Sequence, residues 1–121
     1  MDDTLREFLR HSIRSVWNIE LLLWLNQHAS RSWSPDDLVR ELRASDLVVS
    51  QGITSLQQAG LIAADASGSY RYTPASSALD HLVQQLQRTY RERPSVVTRA
   101  LFSAPNDKLA TFADAFRLKK D

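Results

Sequence analysis

Between residues 34 and 61 the chain carries a run of punctuation that few folds satisfy. Ser34-Pro35-Asp36-Asp37 reads as a helix start. Ser34 can cap, Pro35 suits the first helical position, and the two carboxylates sit where the helix dipole favours negative charge. Leu38, Val39 and Leu42 form the buried stripe of this helix, which stops near Arg43 because Ala44-Ser45-Asp46 offers a turn and a second cap. A helical period resumes at Val49, Ile53 and Leu56 and ends at Gly60 as at a C-cap. Two short helices joined by about three residues form a helix-turn-helix arrangement.

The flanks extend this pattern. Leu5, Phe8 and Leu9 predict a short amphipathic helix from Thr4 to His11. The run from Val16 to Leu25, with Trp17 and Trp24, predicts a helix apolar around most of its circumference, the central element of a small bundle. After Gly60, Leu61–Ala64 and Tyr70–Thr73 read as two strands around Ala66-Ser67-Gly68-Ser69, closed by Pro74. They predict a hairpin with Gly68 at its tip and no other sheet. Leu79, Leu82, Val83, Leu86 and Tyr90 mark a helix from Ser76 or Ser77 to Arg93, where Pro94 interrupts it. Two further helices are expected, one between Pro94 and Pro105 and one over Leu109, Phe112, Ala113 and Phe116 after an Asn106-Asp107 cap. The fold class is mainly α with a small β-hairpin (α+β). Residues 1–75 form a unit around the hairpin, and residues 76–121 form a helical extension that dimerises or packs on the same compact unit.

The passage Ser50-Gln51-Gly52-Ile53-Thr54-Ser55-Leu56-Gln57-Gln58-Ala59-Gly60-Leu61-Ile62 resembles the recognition-helix-to-wing segment of MarR-like regulators, in which a Leu, three variable residues, a Gly and two apolar residues lead into the wing. The resemblance covers roughly Val16 to Thr73. The closing Asn106-Asp107-Lys108-Leu109 and Phe112-Ala113-Asp114-Ala115-Phe116-Arg117-Leu118-Lys119-Lys120-Asp121 are similar to the tail of a group of small proteobacterial winged-helix proteins. Such a likeness implies a winged helix-turn-helix with additional C-terminal helices, a homodimer paired through those helices, and transcription regulation by contact with duplex DNA.

In that arrangement the second helix enters the major groove while the hairpin follows the backbone or minor groove. With Val49, Ile53 and Leu56 buried, Ser50, Gln51, Thr54 and Ser55 face outward, followed by Gln57 and Gln58. Gln can pair bidentately with adenine, and Ser or Thr can serve base or phosphate. Arg40, Arg43 and Arg71 are placed for phosphates, Arg71 pointing to solvent between two tyrosines that face the other way. Against DNA stands the absence of Lys and Arg between Ser45 and Gly60, since backbone affinity comes mainly from cations. Asp46, Leu47 and Val48 lead the helix, and the two apolar residues offer a protein-binding alternative. The chain as a whole is nearly neutral, at +1. Residues 1–78 carry seven Arg and no Lys against nine Asp+Glu, a net of about −2, and the rest carries about +3. Arg88, Arg91, Arg93 and Arg99 read as the solvated face of a helix or a patch for phosphate or an acidic partner.

Other chemistries find little support. The absence of Cys excludes disulfides, thiolate metal sites and cysteine nucleophiles. His11, His28 and His81 are widely separated, no serine lies in a nucleophile elbow, and three glycines make no phosphate-cradling loop. Neither an enzyme nor a cofactor is expected. Trp17, Trp24 and Trp33 read as core rather than as an effector pocket. Leu79, Val83, Leu86 and Tyr90 make a short seam that can pair two subunits or pack on the protein's own helices. The N-terminus lacks a secretory signal and the most apolar run, Leu21–Leu25, is far too short for a membrane span, so a cytoplasmic protein is expected.

Overall fold

A computed structural model describes residues 1–102, and the helix expected after Asn106-Asp107 lies outside the described residues. Asp2 caps α1 (Asp3–Phe8) by accepting from the Leu5 N–H at 2.8 Å. The helix does not simply run on to His11. It widens into a π-helical turn, Leu9–Ile13, which closes at Arg14 in the left-handed region with φ 78°. Ser15 then caps α2 (Val16–Gln27), whose Ile19, Leu21, Leu22, Leu23 and Leu25 are all buried, as its nearly all-round apolarity predicts for a central helix.

The start of α3 (Pro35–Leu42) is a capping box. The Ser34 hydroxyl accepts from the Asp37 N–H at 3.1 Å while the Asp37 carboxylate accepts from the Ser34 N–H at 3.3 Å. Arg43 ends the helix at φ 54°, and Ser45 caps α4 (Asp46–Gln58) by accepting from the Val48 N–H. Gly60 follows at φ 77°, the left-handed position that ends a helix without a Cβ clash.

Helix α4 rests on α2 through Gly52. A Cβ there would stand 2.8 Å from Leu21 Cδ2 and 2.9 Å from Asn18 Oδ1. Asn18, buried beneath, donates to the Ile13 carbonyl at 2.7 Å and so satisfies the end of the π turn as well.

The hairpin pairs β1 (Ile62–Ala64) with β2 (Tyr70–Tyr72) in antiparallel register, Ile62 opposite Tyr72 and Ala64 opposite Tyr70. Asp65 organises the turn by accepting from the Ser67 and Ser69 N–H groups, and Gly68 takes φ 82°. Among the described residues this hairpin is the one sheet, as expected, with a single backbone bridge added beside it. Trp33 forms an isolated antiparallel bridge with Tyr70 through two backbone bonds of 2.7 and 2.8 Å, tying the hairpin to the α2–α3 connection.

Ser76 caps α5 (Ser77–Glu92), and Pro94 opens α6 (Pro94–Phe102). Val83 and Leu86 are fully buried, with Leu79, Leu82 and Tyr90 packed beside them, so the seam faces the protein's own core. That core is continuous from Leu5 to Leu101. Polar contacts fasten α5 to the rest: Tyr90 donates to Glu20 at 2.8 Å, Gln84 donates to Asn26 at 3.0 Å, and Tyr72 donates to Asp80 at 2.7 Å. Burial and the Glu20 carboxylate push Tyr90 up to about 12.

Candidate nucleic-acid interface

With Val49, Gly52, Ile53 and Leu56 turned inward, α4 presents Asp46, Leu47, Ser50, Gln51, Thr54, Gln57 and Gln58 to solvent. The helix is a ridge between two open depressions. One, of about 570 Å³, lies toward α2 and contains Ser50, Gln51, Thr54 and Ser55 together with Arg14 and Trp17. The other, of about 280 Å³, lies toward α3 and the hairpin, where Pro35, Asp46, Ser50, Thr54 and Tyr70 line it. Ser50 and Thr54 belong to both and form the crest. All four residues expected to face bases are therefore brought together, Ser50, Gln51 and Thr54 exposed and Ser55 half-buried. Thr54 alone is partly committed, its hydroxyl donating to the Ser50 carbonyl at 3.1 Å and leaving its lone pairs and methyl outward.

The expected phosphate contacts are more scattered, and none of Arg40, Arg43 and Arg71 lines either depression. Arg40 pairs with Asp37, which also meets Arg31 at 3.6 Å. Hydrogen bonds from the Ser34 backbone and side chain, with the two guanidiniums, hold the Asp37 carboxyl below the usual range. Ion pairs at the surface are screened by water and salt and held weakly, so a phosphate can displace this one. Arg43 is exposed, and its side chain has no partner among the described residues. Arg71 is exposed too, but its Nε donates to the Ala29 carbonyl at 3.0 Å, which draws the side chain toward the α2–α3 connection.

No protein family, curated protein or solved structure matches the chain. The arrangement of its own side chains therefore carries the functional reading. Among the described residues no cluster of three or more His, Asp or Glu is placed to hold a metal ion, and no helix is long and apolar enough to cross a membrane.

Two residues beside α4 escape the sequence reading. Arg14 reaches the ridge because the π turn carries the chain past the end expected near His11; nothing in the local periodicity marks it. Trp17 departs from its expected place in the core, being 44% exposed on the rim of the larger depression. The other two tryptophans do pack inward. Trp24, His28 and Trp33 cluster with centroid separations of 4.1 to 5.4 Å, Trp33 edge-on to the other two rings, and the Arg31 guanidinium lies 3.8 Å above the Trp33 ring. Leu47, at the head of α4, is 65% exposed.

Proposed function

We propose that the chain is a winged helix-turn-helix protein that binds duplex DNA and regulates transcription without catalysis, with α3 and α4 as the helix-turn-helix and the β1–β2 hairpin as the wing. The observation that carries this reading is the polar, hydrogen-bonding outer face of α4, exposed between two depressions while its inner face is seated on α2 at a glycine. A helix exposing such a face fits the major groove, where Gln51 can read adenine and Ser50, Thr54 and Ser55 can reach base edges or phosphates. Arg40, Arg43 and Arg71 then neutralise backbone phosphates. The Trp33–Tyr70 bridge supports the same reading, because it gives the hairpin a fixed orientation relative to the helices.

Two-fold DNA sites call for a two-fold protein. The buried Val83–Leu86 stripe is already occupied within one chain, so a homodimer in the cytoplasm would pair through other surfaces of the C-terminal region, beginning at Phe102, which is 74% exposed. A second reading, a winged-helix protein-interaction module, is favoured by Leu47 and the half-buried Val48 beside it.

Fluorescence anisotropy on a generic labelled duplex, titrated with salt, tests the DNA reading. The expected outcome is salt-dependent binding at micromolar concentration or tighter, on the order of ordinary non-specific affinity. A Gln51→Ala/Arg71→Ala variant should bind more weakly. Lack of binding even at low salt would leave the protein-interaction reading.

A further inference from the structure

Two non-glycine residues among those described take a positive φ, and both are arginines: Arg14 at 78° and Arg43 at 54°. Each follows a helix end, a position where glycine is the unstrained occupant. All five other arginines of the first 75 residues are engaged. Arg6 meets Asp3, Arg31 and Arg40 meet Asp37, Arg71 meets a carbonyl, and Arg10 has a partner as well. The side chains of Arg14 and Arg43 have none among the described residues. Two strained cations without a side-chain partner among the described residues thus flank α4, Arg43 in the turn before its N-terminus and Arg14 along its side. Backbone strain of this kind persists where the surroundings over-determine it and collects at functional positions.

The surroundings of Arg14 are specific. Its N–H donates to the Leu9 carbonyl at 2.8 Å, and Asn18 fixes the preceding Ile13 carbonyl at 2.7 Å, so the left-handed turn is held from both sides. The side chain borders a second, smaller notch of about 160 Å³, shared with His11, Ser12, Ser55 and Gln58. Among the described residues, neither this notch nor the larger depression that Arg14 also borders contains a carboxylate, whereas Asp46 lies in the depression on the opposite flank of α4. A water occupies about 30 Å³, so the notch has room for a phosphodiester group, and its lining offers a guanidinium, an imidazole, two hydroxyls and an amide.

We propose that this notch is a phosphate-binding site for the DNA backbone, with Arg14 as its cation. It rests on the duplex-DNA reading of α4. The two strands bordering the groove are then gripped from opposite flanks of the helix, one by the hairpin side and the other by the π turn.

Salt-titrated anisotropy on the full chain tests this with Arg14→Gly, Arg14→Lys and Gln51→Ala. Arg14→Gly removes the guanidinium at a φ that glycine adopts freely, so thermal stability should be kept or raised and weaker binding cannot be blamed on misfolding. Loss of one phosphate contact should lower affinity about eight-fold near 0.1 M salt and flatten the log–log salt slope by about 0.9, equally for unrelated duplex sequences. Arg14→Lys should restore the slope, and Gln51→Ala should leave it unchanged. If the native protein binds DNA and Arg14→Gly keeps its affinity and slope, the notch is overturned while the DNA reading stands. If the native protein binds no duplex, both fall together.

Discussion

Gly52 shows how a single hydrogen atom in place of a methyl can set the height of a helix. Replacing it by alanine improves intrinsic helix propensity by roughly 0.5 to 1 kcal/mol. Yet the new Cβ meets Leu21 Cδ2 and Asn18 Oδ1 at under 3 Å, so α4 must rise or α2 must repack. Overpacking of this kind costs about 1 to 3 kcal/mol, so after the propensity gain the expected result for Gly52→Ala is a net loss of up to about 2.5 kcal/mol in chemical denaturation. A variant as stable as the native protein would mean that Leu21 relaxes freely. The residue was visible in the sequence but its role was not: Val49, Ile53 and Leu56 define the stripe without it, and a glycine contributes no apolar signal. Trp17 was illegible for the opposite reason. In a helix apolar nearly all round, periodicity does not say which large side chain is left outside.

At the scale of elements, caps and turns were the most legible features. Ser34, Ser45, Gly60, Ser76 and Pro94 lie at helix boundaries because their chemistry is local. The hairpin followed from Gly68 and the alternating tyrosines, but its tether did not, since a one-residue bridge at Trp33 has no period to detect. The turn itself should respond to acid. Hydrogen bonds from the Ser67 side chain, the Ser69 backbone and the Ser32 side chain bring the Asp65 carboxyl down to about 2 from 3.8. A lowered folded-state pKa contributes stability above the unfolded value, and that contribution fades as pH falls from about 4 toward 2. Amide exchange at Ser67 and Ser69 should therefore lose protection in this window. Asp65→Ala should show the unprotected pattern already at pH 5, and retained protection there would assign the turn to its glycine alone.

For the molecule as a whole, the sequence left the Leu79–Tyr90 stripe open between a second subunit and the chain's own helices, because a buried period does not name its partner. Its polar partners Glu20 and Asn26 lie 58 to 70 residues away and carry no mark of the pairing. Since the core runs unbroken from Leu5 to Leu101, residues 1–75 and 76–102 should unfold together. Leu86→Ala is expected to cost about 2 to 5 kcal/mol. It should move the tryptophan-fluorescence and circular-dichroism transitions by the same amount. Separate midpoints for the two probes would reveal two independently folding units.

Leu5, Leu9 and Ile13 repeat at intervals of four, and each has no exposed surface. In a regular α-helix four residues overshoot a full turn by about 40°, so a third member of such a series would point roughly 80° away from the first. The wider winding of Leu9–Ile13 takes up that angular excess and keeps Ile13 in line with the other two. Excising one residue from this stretch would change the phase of everything after it by about 100°. The turn therefore fixes the azimuth at which the Arg14 guanidinium meets the flank of α4, much as an offset in a shaft sets the timing of the part it drives.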